Sequence, residues 1–206
     1  MPISFDDRVI STLCSTSKLY KQNYVDYTYL IVSKSFSNEP YYIIEMHEDN
    51  FLHLSGVQTS LNASVFFSKC IDDSLSITDI IAPSIGSKYY KGTIRRKINV
   101  LPDFVNGFDT SYSVQENFNK NSITCNFASA NFNLTIGFLK VHESVPFTLL
   151  KGNCLDNTLA KPIDVLLRKS RADEIFNEVI IGDPIKIEEC IAMIPALKAI
   201  VSEDLY

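Results

Sequence analysis

The sequence predicts an α+β domain, and three observations carry that expectation. Runs dense in β-branched and aromatic residues open the chain after residue 24 and return after residue 120. Between them lie segments with apolar residues at helical spacing. The early strand candidates are joined by short turns, the mark of neighbours in an antiparallel meander. At 206 residues, 46% apolar and 21% charged, the chain can bury one core, with or without an appendage.

The elements follow in order. Residues 1–24 read as a polar lead-in, with a short helix if Val9, Ile10 and Leu13 share a face. "YVDYTYLIVSKSF" and "YYIIEM" read as strands separated by the turn residues "SNEP". After "HEDN", the run "FLHLSGV" alternates and is predicted as a third strand, with Phe51, His53, Ser55 and Val57 on one face. Asn62 then caps a helix whose apolar stripe is Ala63, Phe66, Phe67, Cys70 and Ile71. "DDSLSITDII" is a short helix or turn. From Lys91 an amphipathic helix carries Ile94, Ile98, Leu101, Val105 and Phe108, with a kink or break expected at Pro102.

"NGFDTSYSVQENFNKNS" reads as a polar connection. Strands resume with "SITCNFA", "NFNLTIGFLKV", "VPFTLLKG", "PIDVLLRKS" and "IFNEVII". Asp183 followed by Pro184 suggests a final capped helix, although a hairpin strand "IKIEEC" fits nearly as well. The organisation expected is a lead-in over 1–24, an α+β domain over 25–181 and an acidic extension over 182–206.

Charge is unevenly placed. The net charge is −5, yet "SKYYKGTIRRKI" holds five cations and no acid, which leaves −10 on the remainder. From Asp173 onward eight acids face only Lys186 and Lys198. A protein that coats nucleic acid at large is basic overall, so any polyanion contact here must be focused on a small site. The five cysteines are scattered, with no paired spacing, and read as reduced thiols of a cytoplasmic protein without a zinc site. No apolar stretch is long enough to cross a bilayer, and the first 22 residues lack the order of a signal peptide. Phosphate-cradling glycine loops, zinc-protease helices and nucleophile elbows are missing from the sequence, so no cofactor is expected.

Two groups of residues stand out chemically. His53 can act as a base or acid near neutral pH, with Ser55 as a hydrogen-bonding neighbour. The plain alternative is a histidine satisfied by a backbone carbonyl. Lys88, Lys91 and Arg95 fall at i, i+3 and i+7, flanked by Arg96, Tyr89 and Tyr90. That face could hold phosphates while a tyrosine stacks on a base. Its alternative is a solvated helix face offsetting the acidic remainder.

The succession "NFLHLSGV", "ASVFFSKCIDDSLSITDI", "KINVLPDFV", "LTIGFLKV", "VPFTLLKG" and "DVLLRKS" resembles a phage and mobile-element family of Barnase–EndoU–colicin–RelE-like nucleases, over about residues 25 to 181. The resemblance implies N-terminal strands and helices packed on a curved antiparallel sheet that carries a metal-free RNase site. His53 matches the motif histidine, Ser55 stands where the family usually has Thr, and Lys97 matches a phosphate-contacting cation. Thr148 matches a hydroxyl residue of the "P-x-T-L-L" element. A Lys expected before the "GF" strand is replaced by Phe127 or Ala128, which would remove a stabiliser of the phosphorane. Two functions follow as expectations. One is a metal-independent endoribonuclease acting on RNA, with an antitoxin or immunity partner. The other is a non-catalytic scaffold that inhibits host defence or nucleic-acid machinery by binding a basic host protein.

Overall fold

The computed structural model describes residues 4–81, 88–140 and 142–206. Strand β1 (Tyr27–Val32) pairs antiparallel with β2 (Tyr42–Glu45) on one side and with β8 (Val165–Ser170) on the other. Strands β3 (Ser113–Lys120), β4 (Ile123–Ala130), β5 (Leu134–Lys140) and β6 (Ser144–Lys151) form a continuous antiparallel meander. Short β7 (Lys161–Pro162) and β9 (Glu178–Ile181) end the sheet. Among the described residues the order is β7-β3-β4-β5-β6-β2-β1-β8-β9, a curled half-barrel. The sheet is mixed, because β2 meets β6 in parallel through Ile44 and Ser144. That single contact leaves most of the β6 edge without a strand partner.

Helices α1 (Phe5–Tyr20), α2 (Glu48–Ser55), α3 (Ala63–Ile71) and α4 (Lys88–Val105) cover the inner face. The expected lead-in is therefore a helix built into the main core through Val9, Leu13, Cys14 and Tyr20. Tyr20 packs against Tyr24, Phe51, Phe67 and Phe104, and its buried hydroxyl donates to His47 O. Asn62 caps α3 as predicted, accepting from Val65 N at 2.8 Å. Helix α4 runs on past Pro102 to Val105, so the expected break into two helices does not occur, and the proline sits exposed in the last turn. Asp183 and Pro184 do start a helix, α5 (Pro184–Met193), so the hairpin alternative is discarded. It packs on the opposite face of the sheet, against Leu30, Val32, Val165 and Leu167.

Two elements differ from the sequence reading. "FLHLSGV" is not a strand but the body of α2 and its terminus. Phe51, Leu54 and Ser55 are buried at i, i+3 and i+4, and no strand face unites Phe51 with His53. The supposed polar connection contains β3, an otherwise polar strand whose Val114 is buried in the main core and whose Phe118 is buried in a separate cluster with Cys125 and Ala128. Glu116 on that strand accepts from Ser37 N, Asn38 N and the Tyr42 hydroxyl, tying the β1–β2 loop down.

Candidate active site

Helix α2 is short and firmly delimited. His47 and Asn50 form a reciprocal cap at its start, with Glu48 and Asp49 in the first turn favouring the helix dipole. Gly56, at φ +72°, ends it in the left-handed conformation that an L side chain resists. The last carbonyls are then satisfied by side chains. Ser55 Oγ donates to Leu52 O at 2.7 Å and accepts from Val57 N at 3.2 Å. Lys97 Nζ, arriving from α4, donates to His53 O at 2.8 Å, a cation at the negative end of the helix.

Gly56 also makes room for that lysine. A Cβ at this position would lie 2.6 Å from Lys97 Cδ. The lysine stem therefore crosses the one residue of the turn without a side chain. Half-buried, with no carboxylate within ion-pair distance among the described residues, Lys97 has its ammonium pushed down by burial to about 8.

His53 is exposed and leans across to the open edge of β6. Its Nε2 hydrogen-bonds to Phe147 O, and its ring lies 5.8 Å from the Phe147 ring at an interplanar angle of 26°. A carbonyl only accepts, so Nε2 carries the proton and the neutral ring keeps its lone pair on Nδ1. Backbone satisfaction and surface access thus coexist in one residue.

The cleft between these elements has a volume of about 460 Å³. Helix α2 contributes His53. Helix α4 contributes Thr93, Arg96 and Lys97, which share one face by their i, i+3, i+4 spacing. The β3–β4 turn brings Asn121 and Ser122, and β6 brings Phe147, Thr148 and Lys151. The described lining has three cations and no acid. A second hollow of about 380 Å³ lies across the same pair, lined by Asp49, Leu52, His53, Gly56, Val57 and Lys97.

The structure therefore brings His53, Lys97 and Thr148 together although the chain separates them by up to 95 positions. Ser55 is placed elsewhere: it is 0% exposed, lines neither hollow, and spends its hydroxyl on the helix end. The basic stretch divides. Arg96 faces the cleft, whereas Arg95 lies over the Phe5 ring at 5.5 Å. The side chains of Lys88, Tyr89, Tyr90 and Lys91 lie outside the described residues. Phe127 and Ala128, found where a cation was expected, are both fully buried. Lys151 supplies a cation to the cleft from the neighbouring β-hairpin instead. Sequence reading had no reason to single out Phe147, Thr93 or the Asn121–Ser122 turn. The acids of "HEDN" and the Gly of "LSG" were usable signals of a helix start and stop.

Such an arrangement can accept a proton at one point, donate one at another, and neutralise an anion between them. A curled α+β sheet with a cationic cleft at its uncovered edge defines the class. The chain belongs to the phage-Barnase-EndoU-ColicinE5/D-RelE like nuclease4 family, whose profile matches residues 12–174. That span includes α2, α4 and β6, and it ends before β9. Comparison with curated proteins gave no match, and comparison with solved structures gave none. No helix among the described residues is long and apolar enough to cross a membrane.

Proposed function

We propose that the chain is an endoribonuclease that cleaves RNA without a metal, by attack of a ribose 2′-OH on the adjacent phosphate. The observation that carries this reading is the meeting of His53 and Lys97 in an acid-free cleft. His53 Nδ1 takes the 2′-OH proton as the oxygen–phosphorus bond forms. The bond to the 5′-oxygen breaks, and the Lys97 ammonium, made more acidic by burial, protonates the leaving oxygen. Arg96 and Lys151 offset the charge on the phosphorane oxygens, and Thr148 orients one of them. The products are a 2′,3′-cyclic phosphate and a 5′-hydroxyl, and solvent takes the proton from His53 and returns one to Lys97.

The test is incubation with total RNA in EDTA, followed by sequencing of the cleavage ends. Cyclic phosphate ends are expected. His53→Ala and Lys97→Ala should each slow cleavage by at least about 10²-fold, the usual scale for a lost acid or base, with the fold intact by circular dichroism. Cleavage that persists in the double variant ends the proposal.

A second reading is favoured by one feature: both Nε2 of His53 and Nζ of Lys97 bind main-chain carbonyls, as purely structural side chains would. On that reading the protein is a scaffold that blocks host machinery by holding a basic protein against its acidic remainder. It requires no cleavage of any RNA and a stable complex recovered from host lysate.

A further inference from the structure

The His53–Lys97 pair lines two hollows, so a chain laid across it would extend to both sides. The two sides differ in character. The smaller one carries Asp49 and no cation besides Lys97, which disfavours phosphate. The larger one has Arg96 and Lys151, and beside them an exposed aromatic ring, Phe147. Phe147 is 37% exposed on a strand whose next inward residue, Leu149, is buried in the main core. It is the residue that the β5 pairing skips, at an irregularity between Pro146 and Thr148 that both pair with β5, and its carbonyl is held by the His53 hydrogen bond. The ring also stacks on the imidazole. An exposed ring anchored to His53 through its carbonyl and its stacking, in a cleft that also holds Arg96 and Lys151, is a platform for a flat apolar group attached to an anionic backbone.

We infer that the cleft takes single-stranded RNA, with a base adjoining the scissile phosphate stacked on Phe147. This rests on the reading of the cleft as an RNA-cleaving site. Bases in a duplex are already stacked on both faces, so only an unpaired base can meet a side-chain ring. Phosphates on that side fall to Arg96 and Lys151. Because a ring reads only a flat face, this contact gives preference for unpaired RNA and little preference among bases.

The protein contains no tryptophan, so Phe147→Trp creates a single fluorescent reporter at the platform. The probe is an oligonucleotide with 2′-O-methyl groups throughout, which binds but lacks the attacking hydroxyl, compared with the same sequence annealed to its complement. Saturable quenching by the single strand and none by the duplex is expected. Phe147→Ala should weaken single-strand binding by roughly tenfold, and raise KM more than it lowers kcat. Tryptophan emission indifferent to an oligonucleotide that anisotropy shows to be bound would overturn the inference, as would equal affinity for the duplex. Cleavage with no Phe147 effect sinks the platform and leaves the nuclease. Quenching without cleavage by the wild type sinks the nuclease and leaves a single-strand binding cleft. Binding of neither probe sinks the platform and removes support from both.

Discussion

Lys97 caps α2 and, on the proposed mechanism, also serves as the acid, two roles whose demands on charge differ and which pH can separate. As a cap on α2 it needs a proton, and as a leaving-group acid it must part with one. Its folded pKa, about 8, lies below the ordinary lysine value of 10.5. The unfolded chain therefore holds more protons between these two values, and stability contributed by this group rises with pH across that window. Tyrosines and cysteines lose protons in this region only in the unfolded chain, because burial raises their pKa values in the folded protein, and they act in the opposite sense. The difference between wild type and Lys97→Met cancels them. Urea midpoints measured from pH 7.5 to 9.5 should therefore show the wild type gaining on Lys97→Met as pH rises. The gain is expected to be about 1 kcal/mol after allowance for partial exposure. The rate of RNA cleavage by the wild type should fall over the same range, because the acid is being lost. A stability gap independent of pH would mean that Lys97 titrates as an ordinary surface amine.

The α2 turn couples fold to site, and Gly56 is its hinge of meaning. Alanine there must adopt φ +72°, at a cost of about 1–2 kcal/mol, and its Cβ must displace the Lys97 stem. Asparagine tolerates the left-handed region better but brings the same Cβ. Gly56→Ala is thus expected to lower both stability and cleavage, while Gly56→Asn recovers part of the stability and little of the cleavage. Thermal unfolding paired with initial rates reads both quantities. Equal activity in Gly56→Asn and wild type would show that the stem has another way past the turn. The same element marks the limit of sequence reading. Period-2 alternation and period-3.6 burial are hard to tell apart in seven residues, and Leu52, half-buried on a helix, served equally well as a strand residue. Other elements were legible, α3 by its Asn62 cap and β5 by its alternation, whereas Asp183–Pro184 left helix and hairpin both open for α5. The pairing of His53 with Lys97 reached the sequence reading only through family motifs. No local signal says that two helices will converge on one strand edge.

The whole molecule poses a question about where the fold ends. The family match stops at residue 174, and the acidic residues beyond Gly182 look in sequence like an appendage. Packing says otherwise. Leu30, Val32, Val165 and Leu167 point away from the main core and are buried mainly under Ile187, Cys190, Ile194, Leu197 and Val201, with Phe176 beside them. The terminal segment is also stitched to the strand region, with Phe176 N donating to Ile200 O at 2.7 Å and Ser202 N to Phe176 O at 2.9 Å. Each covered side chain contributes about 1.5–3 kcal/mol, so losing the cover on four of them approaches the whole stability of a domain this size. The acids lie on the outer side of this layer, where they keep a necessary apolar lid soluble. A chain ending at Gly182 should therefore unfold or bind a hydrophobic dye at room temperature, although it retains every cleft residue and the full family match. A midpoint within a few degrees of the intact protein would show that β1 and β8 tolerate an uncovered face. The segment would then be a true appendage, free to serve a partner.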